Sequence, residues 1–274
     1  MDVGFVMALI LERRSRSAWW SRRVAVFSAV LLAMAGLTHR YGMIDTVSLF
    51  WIVGAAGVLA LLGLTLAMAG LSQIWREGWT GARDGLLGAG VALVVLMPFL
   101  IAGYRFFAYP ALVDISTDLV DPPRFAFLQG MRMPQMNEIG PIGEEAAAVQ
   151  QHNYPEITGR RYDLAAERTL AIVRQLAAAR SWSVVFSSDA VGDEPIAADT
   201  TIEAVVYSLL LAIPSDVAIR IVDEQGSTYV DMRSASRYGL HDFGENARTI
   251  EAFLSDLDAE ASLQVGVTVD EPSE

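Results

Sequence analysis

The sequence predicts an α+β architecture on a membrane region: three transmembrane helices followed by an antiparallel sheet domain flanked by helices. Three observations predict it. Long uncharged apolar runs fill the first hundred residues, short β-branched segments lie between two amphipathic helical stretches in the remainder, and the charge balance breaks where one pattern gives way to the other. Over 274 residues, 53% are hydrophobic and the mean hydropathy is +0.36, too apolar for an ordinary water-soluble chain. Residues 1–105 hold nine Arg against five carboxylates, whereas residues 106–274 hold eleven Arg against twenty-seven. The chain therefore reads as a membrane domain over 1–110 and an acidic α+β domain over 111–274. It has no cysteine, which excludes disulfides, thiolate metal sites and a cysteine nucleophile. All twenty basic residues are Arg, a compositional bias without functional content.

The clearest membrane signal is Thr46–Trp75, thirty residues without a charge between Asp45 and Arg76. A span needs about 20 apolar residues. Gly85–Tyr104 is a second such run, with Pro98 in its latter half, where neighbouring helices can cover the freed carbonyl. Val24–Thr38 is shorter, but Trp19 and Trp20 before it and Tyr41 after it stand where interfacial aromatics belong. Spans are expected near 22–40, 47–71 and 85–104. Arg13, Arg14, Arg16, Arg22 and Arg23 precede the first, and Arg76 and Arg83 lie between the second and third. By the positive-inside rule the N-terminus and that loop are cytoplasmic. Three crossings then deliver everything after Arg105 to the other side of the membrane. Ala33-Met34-Ala35 gives an alternative reading of the first run as a cleaved signal, against which stands a charged leader of unusual length. No charge lies within a span, which argues against a transporter or channel. Ala56 with Ala60, Gly63 with Ala67 and Gly85 with Ala89 have the four-residue spacing that lets membrane helices approach, although Gly and Ala are common in any such helix.

In the C-terminal domain, Val113–Tyr162 reads as extended or irregular, broken by Pro122, Pro123, Pro134, Pro141 and Pro155. Asp163 has the position of an N-cap for a helix to about Arg180, with Ala166, Leu170, Val173 and Ala177 on one face. Four strands are expected at 182–187, 201–211, 216–223 and 227–234. The last two form a hairpin around a loop over 223–226, which sets Val222 opposite Ser227, Ile219 opposite Val230, and Arg220 diagonal to Asp231. A final helix opens at Asp242 and Glu245, spaced as a capping box, and carries Ile250, Phe253, Leu254 and Leu257 on its apolar stripe.

Four stretches carry a family resemblance: 113–125 (VDISTDLVDPPRF), 153–157 (NYPEI), 201–221 (TIEAVVYSLLLAIPSDVAIRI) and 229–254 (YVDMRSASRYGLHDFGENARTIEAFL). The most specific run is Asp231, Arg233, Ser234, Ser236, Arg237, Gly239, Asp242, Gly244 and Asn246. Together they resemble the bacterial domain of unknown function 1499 family over residues 111–257. The resemblance implies an envelope protein with membrane helices ahead of the domain, which with the orientation above puts the C-terminal domain on the periplasmic face of a bacterial inner membrane, and it brings no reaction with it. Leu240 and His241 depart from the family's more polar pattern, so His241 inherits no role.

Arg233, Ser234, Ser236, Arg237 and Asn246 form the candidate ligand site. Two guanidinium groups, two hydroxyls and the amides of a helix start can hold a phosphate or a carboxylated envelope component. The alternative is that the arginines brace the strand-to-helix turn by pairing with Asp231, Asp242 or Glu245. A Ser236–His241–Asp242 triad is disfavoured, because adjacent His and Asp cannot easily orient one another. Met131, Met133 and Met136 could offer thioethers to Cu(I), with His152 as a further ligand, or serve as apolar filler. Asp114, Asp118 and Asp121 lack the Gly and Glu of a calcium loop and suit Asx-turns. No metal or cofactor is expected. The expected partners are the lipid bilayer and an anionic small molecule or envelope component, from whose anionic headgroups the acidic domain would stand off. Nucleic acid is excluded by the same charge. The function expected is ligand or partner binding in envelope maintenance. An enzyme on anionic lipid or glycan, using Asp231 or Asp242 as acid or base, and copper handling are the alternatives.

Overall fold

The computed structural model describes residues 13–190 and 199–267. The remaining parts of both expected domains, 1–12, 191–198 and 268–274, lie outside the described residues. The chain divides into two compact units at Gly103 and Tyr104.

The first unit holds three helices long and apolar enough to cross a membrane: α1 (Arg16–Arg40), α2 (Thr46–Glu77) and α3 (Ala82–Ala108, whose last turn belongs to the second unit). Each outruns its expected apolar span because polar caps and flanking arginines continue the helix. The Ser15 hydroxyl accepts the Ala18 amide, the Asp45 carboxylate accepts the Ser48 amide, and α2 stops at Gly78 in the left-handed conformation, φ +68°. The small residues make a contact seam. Ala56, Ala60, Gly63, Ala67 and Gly70 are all buried on one face of α2. A Cβ at Gly70 would lie 2.4 Å from the Ala18 amide nitrogen, and one at Gly63 would lie 3.2 Å from that of Ala25. Backbone thus meets backbone along an antiparallel pair of helices. Asp84, at the start of α3, is buried and accepts from both Arg14 (2.6 Å) and Arg22 (3.0 Å). Gly70→Leu is expected to force α1 and α2 apart at a cost of about 1–3 kcal/mol, the usual penalty of overpacking. Thermal unfolding of the detergent-solubilised chain checks this, with Gly54→Leu, where a Cβ meets nothing within 4 Å, as a near-neutral control.

The second unit is an antiparallel sheet with helices on one face and a long loop on the other. Its elements are β1 (Asp114–Ser116), α4 (Glu144–Asn153), β2 (Arg160–Tyr162), α5 (Ala166–Ala179), β3 (Ser183–Ser187), β4 (Asp199–Tyr207), β5 (Pro214–Asp223), β6 (Thr228–Ser236) and α6 (Glu245–Val267). The strand order is β1-β6-β5-β4-β3, and β2 also pairs with β6. The expected four strands are therefore joined by two three-residue strands that share one edge of β6.

Alternation sorts the side chains. Ile202, Val217, Ile219, Ile221, Val230 and Met232 face α5 and α6, whose Leu170, Val173, Ile250, Phe253 and Leu257 complete the main core. Trp182 stacks on Phe253 with ring centroids 5.0 Å apart. The β5–β6 register differs from the sequence reading: the four-residue loop is 224–227, not 223–226, so Asp223 opposes Thr228, Ile219 opposes Met232, and Arg220 directly opposes Asp231. Moving the loop by one residue shifts the pairing by two, an even slip that leaves every side chain on its expected face.

Two further differences are local. The α5 helix begins at Ala166 with Ala165 as its N-cap, not Asp163, because Leu164 is drawn into the core and its carbonyl accepts the buried Thr228 hydroxyl at 2.6 Å. The stretch expected to be irregular contains α4. That helix has Glu144 and Glu145 in its first turn, which suits the dipole, but Gln150 is its one fully buried residue. With no apolar stripe, it left no periodic signal. Gln150 earns its burial by extending the ladder of β1: its side-chain oxygen accepts the Ser116 amide (3.2 Å) and its nitrogen donates to the Ser116 carbonyl (2.6 Å).

Candidate functional site

Successive residues of a strand point to opposite faces, and this divides the five candidate site residues. Ser234, Ser236 and Asn246 come together on the helix-covered face. The Ser234 hydroxyl donates to Asn246 Oδ1 at 2.8 Å, while Asn246 Nδ2 donates to Ser236 Oγ at 2.9 Å and to the Val113 carbonyl at 3.0 Å. All three are buried, and their bonds tie the start of α6 to the end of β6. Arg233 and Arg237 lie on the other face. A site in which both guanidinium groups and both hydroxyls converge on one anion is not formed.

Asp242 completes this junction. Its two oxygens accept the Gly244 (2.8 Å) and Asn246 (2.9 Å) amides. Burial pushes its carboxyl above the ordinary aspartate value, against the pull of those two bonds. The capping box is half made, since Glu245 turns to Arg105 and to Arg248 instead of reaching back to the Asp242 amide, which donates to Leu112. Gly244 has φ +74°, and a Cβ there would come within 2.7 Å of the Tyr109 ring, so the turn requires glycine. His241 Nδ1 accepts the Phe243 amide, leaving Nε2 to donate toward the carbonyls of Phe106 and Tyr109. Ser236, His241 and Asp242 each have other partners and form no triad.

The opposite face of the sheet carries charge under cover. Glu203, Asp216 and Asp231 are fully buried there. Around a small apolar cluster of Phe125, Leu128, Val205, Ala218 and Ala235, the loop over 117–142 is pinned down by these groups. Glu203 Oε1 accepts the amides of Ala126 (2.6 Å) and Phe127 (3.0 Å), and Oε2 accepts that of Leu128 (2.8 Å). Asp216 receives Arg132 Nε at 2.9 Å on one oxygen and Arg237 Nε at 2.7 Å on the other. Arg132 also donates to the carbonyls of Asn137, Ala235 and Ser236. Burial pulls its guanidinium below the usual value, and Asp216 opposes that pull. Arg233 makes a two-point pair with Asp114 (2.9 and 2.7 Å) and donates to the Gly140 carbonyl at 2.6 Å. Arg220 bridges Asp231 (2.6 Å) and Asp121 (2.8 Å). Those bonds outweigh its burial and hold it above the ordinary arginine value. The Thr117 hydroxyl adds a contact to Asp231 at 3.3 Å.

Of the five candidates, Arg233 lines an open hollow of about 380 Å³ between the 120–125 and 139–141 segments. Phe125 and Arg233 are buried in its lining, and Arg124, its side chain 89% exposed, makes a 3.9 Å contact with Asp121. Asp118 forms the expected Asx-turn, accepting the Val120 (2.8 Å) and Asp121 (3.0 Å) amides. Met131 and Met133 are exposed and do not fill the core, and His152 is exposed on α4. Among the described residues, no three His, Asp or Glu side chains are grouped to hold a metal ion.

Sequence reasoning missed Glu203, Asp216 and Arg132. The signal was present for Glu203, a lone carboxylate inside an apolar strand run, which must find donors once buried. For Asp216 and Arg132 no local pattern announces a partner 84 residues away.

Three helices long and apolar enough to cross a membrane precede an α+β sheet domain, the composition of a membrane-associated protein. Residues 114–257 match the family described as Protein of unknown function (DUF1499), and the chain belongs to that family. No curated protein and no solved structure matches the chain.

Proposed function

We propose that this protein is an anchored binding domain of the bacterial cell envelope. Its three helices cross the inner membrane from a cytoplasmic N-terminus, and its α+β domain stands on the periplasmic side, where it holds a ligand or partner without catalysing a reaction. The supporting observation is the pinning of the 117–142 loop. A segment with little regular structure is fixed by buried ion pairs and carboxylate–amide bonds, so the pocket it walls is shaped before anything binds. Arg124 at the mouth suits an anionic group such as a phosphate or carboxylate, while Arg233, paired with Asp114, shapes the lining. Asp231 and Asp242, the acids an enzyme would need, are both buried and committed to Arg220 and to the α6 amides.

The test is thermal unfolding of the full chain in detergent, with and without inorganic phosphate and glycerol phosphate. Binding is expected to raise the melting temperature of the parent and not of Arg124→Ala. Equal shifts in both, or none in either, overturn the anion reading. A reporter enzyme that is active only outside the cytoplasm, fused after Glu274, is expected to be active, and an inactive fusion overturns the orientation.

A further inference from the structure

One end of the sheet carries an uncharged, apolar hairpin tip. The β4–β5 hairpin turns there, with Tyr207 opposite Pro214 as its last pair, and its tip is closed by the Ser208 amide donating to the Ile213 carbonyl and the Ile213 amide donating to the Ser208 hydroxyl. Leu209 and Leu210 on this tip are 85% and 74% exposed. No charged residue lies between Glu203 and Asp216, and both of those carboxylates are buried. At the same end β6 runs out at Ser236, opposite Ser215, into the turn that exposes Leu240.

This is also where the chain enters the domain. The Val113 carbonyl accepts the Ser236 amide and the Leu112 carbonyl accepts the Asp242 amide, so the residues just before β1 lie at the apolar end. Between Ala108, the last residue of α3, and Asp114, the first of β1, stand residues 109–113, a tether that reaches at most about 20 Å. Phe106 and Phe107, before the tether, are exposed aromatics of the kind that sit at headgroup level. Of the acids at this end, Asp242 is buried in the α6 cap, Glu245 pairs with Arg105 and Arg248, and Glu138 follows Asn137, which donates to the Gly239 carbonyl; a larger group lies at the far end. The ten-residue β5 carries the chain about 30 Å away to Asp223 and Glu224, and α6 presents Asp256, Asp258 and Glu260 beyond its third turn.

We infer that the hairpin tip Tyr207–Leu211, together with Leu240, is a lipid-contacting surface that seats in the interfacial layer of the bilayer that α3 leaves. This inference rests on the membrane-anchored reading above. The acidic end points away from the headgroups, so the domain's net charge does not keep this end from the surface. The occupant is the phospholipid interface itself. The short tether holds the tip near it, and the absence of charge between Ala204 and Ser215 permits the tip to insert without burying an unpaired ion.

The cysteine-free sequence makes any introduced thiol unique. Full-length Leu210→Cys, Gln225→Cys and Val58→Cys are labelled with an environment-sensitive fluorophore in phosphatidylcholine vesicles, and each is quenched with aqueous iodide and with nitroxide lipids. Residue 225 lies in the opposite hairpin loop and residue 58 on an exposed face of α2. The label at 210 is expected to be quenched several-fold more by shallow nitroxide lipid, and several-fold less by iodide, than the label at 225. If 210 behaves like 225, or is shielded from both quenchers as a protein contact would shield it, the inference falls while lipid quenching at 58 upholds the anchor. If 58 is quenched by iodide and not by lipid, the anchored reading falls and takes this inference with it.

Discussion

Asp216→Ala is expected to destabilise the domain by about 3–5 kcal/mol, the cost of stranding a buried charge, out of a typical total of about 5–15 kcal/mol. Asp216 is fully buried and neutralises two guanidinium groups, with Arg132 itself only 7% exposed in its side chain. Without the carboxylate, Arg132 must stay charged in a site that already disfavours its charge, or leave it. Leaving opens the loop, because the same guanidinium binds the carbonyls of Asn137, Ala235 and Ser236. Near-ultraviolet circular dichroism during thermal unfolding of the full chain in detergent measures the loss. The double variant Asp216→Leu with Arg132→Met is expected to recover part of it, since it removes the desolvation penalty of those two charges along with their attraction and strands only the less buried Arg237. If Asp216→Ala unfolds like the parent, the pair does not clamp the loop.

Glu203→Ala is the second large effect. It leaves the amides of Ala126, Phe127 and Leu128 without the carboxylate that accepts them, each at about 1–3 kcal/mol if it stays buried. The loop is expected to lift at that point in preference to holding three unsatisfied donors. Hydrogen exchange of the full chain should therefore show faster exchange at 126–128 while β5 keeps its protection. Glu203→Gln should fall between, because one side-chain oxygen still accepts and the new NH₂ group meets an amide donor head-on. Unchanged exchange at 126–128 in Glu203→Ala overturns the assignment.

These two positions also show what the chain reveals about itself before it folds. The apolar runs, the strand alternation and the stripe on α6 are local patterns imposed by burial on one face, so they predict helices, strands and their facing without tertiary information. The β5–β6 faces came out as expected despite the register shift, because a slip of two conserves the pleat. What escaped depends on contacts distant in sequence. The α4 helix packs only Ala146 and Val149 partly against the core and buries a glutamine that reaches β1, and β1 and β2 are too short to alternate, so none has a clear period to detect. The candidate site suffered from the same rule that served the strands. Arg233, Ser234, Ser236 and Arg237 are close in sequence, and closeness suggested one cluster, whereas strand geometry sends the hydroxyls into the helix layer and the guanidinium groups under the loop. The grouping that does form, Arg132 and Arg237 on Asp216, spans the fold.

The two short strands on β6 have a further consequence. A full-length exposed strand is a template for intermolecular pairing, and β6, nine residues long, would offer one if its outer side were bare. Instead β2 occupies the side at 228–230 and β1 at 233–235, so a stray extended segment from another molecule finds no continuous row of vacant amides along it. A sheet fenced in this way resists amyloid-like growth at that border, and trimming either three-residue piece would be the change most apt to make the domain sticky.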